Sequence, residues 1–180
     1  MANFLPFQDI ERALAKKQAQ KGARFFVTCL FFVAFATNAA VLEGRIIGIT
    51  DGDTVTLLDA SKTQYKIRLQ GIDAPESKQP FGQASKRHLS KLLFNRQVVA
   101  QCAKTDRYKR KVCVILVEGR DANRSQIKAG MAWWYRKYQN EQTPQQRVDY
   151  EEAEGKAKAE GIGLWREREP IPPWEWRKQK

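Results

Sequence analysis

From residue 43 the chain runs in short apolar bursts divided by turn-forming residues. Glu-Gly-Arg-Ile-Ile-Gly-Ile-Thr at 43–50 is rich in β-formers, Asp51-Gly52-Asp53-Thr54 carries a turn signal, and 55–58 resume the apolar run. Residues 59–64 turn the chain again. The stretch 65–70 then alternates, with Ile67 and Leu69 on one face and Lys66, Arg68 and Gln70 on the other. These patterns predict a three-stranded meander. From Pro80 the period changes. Phe81, Ala84, His88 and Leu92, with Leu89 and Leu93, recur at three- and four-residue spacing and predict an amphipathic helix ending near Asn95. Two more strands are predicted at 97–103 and 111–117, joined by the charged loop Lys-Thr-Asp-Arg-Tyr-Lys-Arg-Lys. A second helix is predicted over 124–129, with Asn123 as N-cap and Gly130 as stop, and a third from Pro144 to Gly161. The closing stretch, residues 166–180, has too many prolines for a helix and is expected to dock through Trp174 and Trp176. Five short strands and three helices predict an α+β domain, a small antiparallel barrel with helices packed on it.

The first 39 residues follow another rule. A polar opening with Lys16, Lys17, Lys21 and Arg24 leads into an unbroken apolar run at 25–36 and then into small residues. This is the pattern of a signal peptide cleaved after Ala39, or of an N-terminal anchor if uncleaved. The expected organisation is therefore 1–39 as signal, 40–167 as one domain, and 168–180 as a basic tail rich in proline and tryptophan. Export, to the periplasm or the medium, is the expected destination. It also changes how charge and cysteine are read. The chain carries a net charge of +12, and residues 1–39 hold five basic and two acidic side chains, so the remainder keeps +9. Such an excess suits a polyanion such as nucleic acid, or an anionic envelope surface. Cys29 falls in the apolar run, which leaves Cys102 and Cys113 on the two later strands, a candidate disulfide in an oxidising compartment.

Several chemistries are excluded by what is missing. One histidine, His88, sits on the apolar stripe of the first helix, so mechanisms needing two histidines or a loop-held Ser–His pair lack support. No His/Cys cluster suits zinc, and no glycine-rich phosphate loop is present. Carboxylates and guanidiniums are what is left. Asp51, Asp53, Asp73 and Glu76 are hard oxygen donors suited to Ca²⁺ or Mg²⁺ if they converge. Taken alone, Asp-Gly-Asp-Thr is a plain hairpin turn. Arg68 and Arg110 add groups that match phosphate bidentately at any working pH. A cation, two arginines and a free carboxylate are the parts needed to cleave a phosphodiester with water.

The blocks Asp-Gly-Asp-Thr-Val at 51–55, Arg-Leu-Gln-Gly-Ile-Asp-Ala-Pro-Glu at 68–76 and Thr-Asp-Arg-Tyr-Lys-Arg-Lys-Val at 105–112 stand in order, followed by Ala-Gly-Met-Ala-Trp-Trp-Tyr and Gly-Leu-Trp. In these blocks, over residues 42–166, the chain resembles the staphylococcal (micrococcal) nuclease family, the thermonucleases. The resemblance implies a five-stranded OB-type antiparallel barrel with three helices. It further implies Ca²⁺-dependent hydrolysis of DNA and RNA. No protein partner is implied, and a monomer is expected. Carried over by motif, Asp53, Asp73 and the carbonyl of Ala74 are the calcium ligands, Glu76 is the general base, and Arg68 and Arg110 bind the scissile phosphate. Arg107 and Tyr108 fall where the family contacts a terminal phosphate, and Tyr135 or Tyr138 offers a stacking face for a base. Two departures stand out. The segment after Glu76 is shorter than in the staphylococcal enzyme. Lys109 replaces a glycine frequent in the family, at a strain of about 1 kcal/mol if its φ is positive.

Two rival readings use the same features. A catalytically inert OB-fold protein would bind nucleic acid with its basic groove and leave it intact. An envelope protein would turn the basic face toward anionic lipid, but that leaves the charged motif positions without a task.

Overall fold

A computed structural model of the chain describes residues 40–179. The expected signal segment, 1–39, lies outside the described residues. β1 (Ala40–Ile49) is long enough to pair twice. Its first half runs antiparallel to β5 (Gln97–Thr105), and from Arg45 onward it runs antiparallel to β2 (Thr54–Leu58), with a register shift between Ile46 and Gly48. β2 pairs with β3 (Gln64–Leu69), and β5 pairs with β6 (Lys111–Val117). The sheet closes where β3 meets β6 through Ile67–Leu69 against Lys111–Cys113. That seam is parallel, whereas every other seam of the five-stranded barrel is antiparallel. The fold is thus the expected α+β OB-type barrel with one parallel closure.

Two of the three main helices fall between strands, and the third follows the last strand. α1 (Gly82–Leu93) buries Leu89 and Leu93, as its periodicity predicts. α2 (Ala122–Lys128) follows the two-residue strand β7 (Arg120–Asp121), and α3 is Pro144–Ala159. Thr143 and Gln146 form a reciprocal capping box at the start of α3, with Pro144 at the position where a missing N–H costs nothing. Ile46, Leu57, Ile67, Leu69 and Ile115 fill the barrel, and Leu89, Leu93, Ile127 and Tyr150 seal it from the helices. Each such aliphatic burial is worth about 1.5–3 kcal/mol.

Two expectations are corrected. Asn123 does not cap α2. Asp121 does, accepting from the Arg124 amide at 3.0 Å. Asn123 is instead fully buried and stitches three elements, donating to the carbonyls of Gln70 and Cys113 and accepting from the Ile115 amide. The tail also contains a helical turn, α4 (Pro173–Trp176), because Pro173 stands at its first position, where proline is tolerated. The tryptophans do dock: Trp174 stacks on Tyr135 with centroids 5.1 Å apart, and meets Trp133 edge-on.

Cys102 and Cys113 are cross-strand partners on β5 and β6 and form a disulfide. The bond closes a loop of sequence separation 11. By chain entropy it should contribute about 2–3 kcal/mol. The Cys102→Ala/Cys113→Ala variant is therefore expected to unfold at lower urea, with an m-value slightly above the parent's because its unfolded chain is no longer cross-linked. A midpoint equal to that of the oxidised parent would contradict this.

Candidate active site

The site forms where four separate segments end at one mouth of the barrel. The turn after β1 supplies Asp51 and Asp53. Its conformation is held by the Asp53 amide donating to Asp51 Oδ1 at 3.0 Å and by the Leu69 amide donating to the Asp53 carbonyl at 2.8 Å. Gln126 of α2 donates to the Gly52 carbonyl at 2.7 Å, while His88 of α1 bonds Gln126 from the other side. The lone histidine therefore acts through Gln126 as a brace for this turn. Gly52 is required for space. A Cβ there would lie 1.9 Å from Ser85 Oγ and 2.7 Å from Ala74 Cβ. Gly52→Ala is expected to cost about 1–3 kcal/mol by overpacking and to displace Asp53. A urea melt and a cleavage rate both at parental values would show the turn to be more forgiving than this packing allows.

Register brings the arginine to the aspartate. Thr54 is directly opposite Arg68 in the β2–β3 ladder, so the Arg68 guanidinium lies beside Asp53. Nη1 of Arg68 is 2.9 Å from Asp53 Oδ2, and Nη2 is 2.9 Å from Asp73 Oδ1. Gly71, at φ 73, turns the chain from β3 into β4 (Ile72–Asp73). That short strand is pinned by β8 (Trp133–Trp134), and Asp73 is 2% exposed. The Ala74 amide donates to Asp53 Oδ2 at 2.8 Å. Glu76 follows, half-exposed, with its amide held by Gln79 Oε1 at 3.1 Å.

The loop between β5 and β6 adds the second arginine. Asp106 templates it, accepting from the amides of Tyr108 and Arg110 at 2.9 Å each. Lys109 has φ 64, so lysine does occupy a position that favours glycine. Arg110 pairs with Asp106 through Nε and Nη2, both at 2.8 Å, leaving Nη1 without a protein partner among the described residues. Burial works against the Asp106 charge, but the bonds from Arg110 and Tyr108 outweigh it and hold its carboxyl below the usual range. Tyr108 is largely exposed, with the guanidiniums of Arg107 and Arg110 over its ring. On the far wall, a 3₁₀ turn (Arg136–Glu141) carries Tyr138 and is tied to the barrel by Gln70 Nε2 donating to the Glu141 carbonyl at 2.7 Å.

All ten residues singled out by sequence (Asp53, Arg68, Asp73, Ala74, Glu76, Arg107, Tyr108, Arg110, Tyr135 and Tyr138) line one cleft of about 420 Å³. Their availability differs. Trp174 covers one face of Tyr135, while Tyr138 is 41% exposed and edges onto Tyr135. Sequence reasoning missed Arg177. It comes from the tail and places Nη2 2.7 Å from Asp73 Oδ2 and Nη1 2.8 Å from Glu76 Oε1. The docking tryptophans were the one available signal that this tail meets the domain.

Among the described residues, no group of three or more His, Cys, Asp or Glu side chains is gathered closely enough to hold a metal on its own. The donors that do face one another are two carboxylates, Asp53 and Asp73. Their surroundings fit a hard cation. Burial pushes the Asp53 carboxyl up to about 7 against the pull of Arg68, and the charges of Asp51 and Asp73 push the same way. Arg68 is shared between Asp53 and Asp73, and Arg177 between Asp73 and Glu76, so two guanidiniums serve three carboxylates and the site is one positive charge short. Oxygen donors completed by backbone and water suit Ca²⁺ or Mg²⁺.

The family model described as staphylococcal nuclease homologue matches residues 66–167. A Haemophilus influenzae protein called an uncharacterized endonuclease is 40% identical over 151 residues, covering 84% of this chain and 82% of its own. An uncharacterized endonuclease of Escherichia coli O157:H7 is 32% identical, covering 87% of this chain and 99% of its own. A Shigella flexneri micrococcal nuclease is 30% identical over 171 residues, covering 90% and 95%. The chain belongs to the staphylococcal nuclease family, and nucleic-acid cleavage is the class of activity that goes with its cleft.

Proposed function

We propose that the protein is an exported, calcium-dependent phosphodiesterase that hydrolyses DNA and RNA within this cleft. One observation carries the proposal: Asp53, Arg68, Asp73, Glu76 and Arg110, drawn from four segments, face a single space large enough for a phosphate and its neighbours. Asp53, Asp73 and the Ala74 carbonyl would hold the cation. When bound, it supplies Lewis-acid polarisation of a phosphoryl oxygen. Glu76 takes the proton from the attacking water at its carboxylate oxygen, half-exposed at the cleft wall where water reaches it. Arg68 and the free edge of Arg110 donate hydrogen bonds to the phosphoryl oxygens as charge builds on them, a role suited to fixed guanidinium forks. Arg107 and Tyr108 receive a flanking phosphate, and the exposed ring of Tyr138 gives a base a stacking face. Export is favoured by the basic and then apolar pattern of residues 1–39 and is consistent with the Cys102–Cys113 disulfide.

The test is cleavage of labelled DNA and RNA oligonucleotides with Ca²⁺, with Mg²⁺ and with chelator. Cleavage in Ca²⁺ that stops on chelation is expected. Nucleic acid retarded but intact in every lane would instead support the inert binder.

A further inference from the structure

Arg177 reaches the cleft on a strap with its own anchors. Gln79 Nε2 donates to the Ile171 carbonyl, Pro173 is buried, and Trp174 lies flat on Tyr135 at an interplanar angle of 11°. From there the guanidinium spans two carboxylates. Nη2 is 2.7 Å from Asp73 Oδ2, and Nη1 is 3.4 Å from Asp73 Oδ1 and 2.8 Å from Glu76 Oε1. Arg68 already holds Asp73 Oδ1, so both oxygens of Asp73 carry a guanidinium. Burial opposes the charge of Arg177, yet the bonds to Asp73 and Glu76 prevail and fix it as a cation.

Geometry and charge have one consequence. Arg177 stands on the same carboxylates that a divalent cation and the general base would use, and a second cation brought to Asp73 meets repulsion from it. We propose that the C-terminal strap is a built-in competitor for the cation, with Arg177 setting the cation affinity of the site. Cation binding lifts Arg177 from Asp73 and Glu76 and frees the Glu76 carboxylate. This rests on the metal-dependent reading above. The two events are linked reciprocally: whatever factor the strap subtracts from cation affinity, the cation subtracts from strap docking.

The experiment uses the protein without nucleic acid. Calcium binding is measured by titration calorimetry for the parent, Arg177→Gln, and Trp174→Ala, which loosens the strap but keeps the guanidinium. Couplings of this kind are commonly about 5–150-fold, and Arg177→Gln is expected to bind Ca²⁺ about tenfold more tightly, with Trp174→Ala shifted the same way. Hydrogen exchange at residues 171–177 of the parent should accelerate when Ca²⁺ is added. Equal or weaker Ca²⁺ binding in both variants, or strap exchange indifferent to Ca²⁺, overturns the competitor. If the parent cleaves nucleic acid with Ca²⁺ under those results, only this inference falls. If no form binds Ca²⁺ and none cleaves, the functional reading falls with it.

Discussion

Glu76→Gln is expected to lower the single-turnover rate of oligonucleotide cleavage by about a thousandfold, within the range of about 10²–10⁴ typical of a general base. Glutamine keeps the shape and the loop's hydrogen bond to Gln79, since there the backbone amide of residue 76 donates to Gln79 Oε1. It keeps an acceptor for Arg177 but cannot take a proton. Substrate affinity, read by fluorescence anisotropy, should therefore stay within about threefold of the parent, because a base acts only as the transition state forms. A variant that binds and cleaves normally would remove Glu76 from the mechanism. One that neither binds nor cleaves would make it a substrate contact.

The second large effect belongs to Arg68. Its guanidinium holds Asp53 and Asp73 together, at 6% and 2% exposure. Arg68→Ala leaves two buried carboxylates facing each other, and breaking buried pairs in this way costs about 3–5 kcal/mol. Activity should fall as well, by about 10²–10³-fold if one phosphate-directed donor is lost. Acidity gives the discriminating readout. Asp53 already has a folded pKa raised toward about 7 by burial, above its ordinary value. A group raised in this way contributes its stability below the unfolded pKa and loses it as pH rises through the folded one. Without Arg68 that loss deepens. The stability gap between variant and parent should thus be widest near pH 8 and narrow toward pH 5. A gap independent of pH would mean the cost is packing of the arginine stem, not charge.

Much of this site was legible in the sequence because its residues cluster beside chain breakers, where a charged side chain has no ordinary place. The strand at 64–69 and the helix at 82–93 declare themselves by period, and the strand at 111–117 by its unbroken apolar run. Other features leave no local mark. Strand register, which sets Thr54 opposite Arg68, depends on how the whole barrel closes. So does the parallel seam between β3 and β6, which no turn between neighbouring strands announces. The two-residue strands β4 and β8 are too short for any periodicity, yet they hold Asp73 in place. Asn123 and Asp121 have equal claims as caps by residue type. Burial decided between them, because Asn123 is enclosed where its amide reaches the carbonyls of Gln70 and Cys113. Arg177 meets Asp73 across 104 residues, a contact no local pattern encodes.

The most direct measurement is a crystal structure of Glu76→Gln with Ca²⁺ and a short oligonucleotide. The expected result is one cation between Asp53 and Asp73, with a single phosphate within hydrogen-bond reach of both Arg68 and Arg110. A phosphate held outside the cleft, or a cation bound away from both aspartates, would contradict the account.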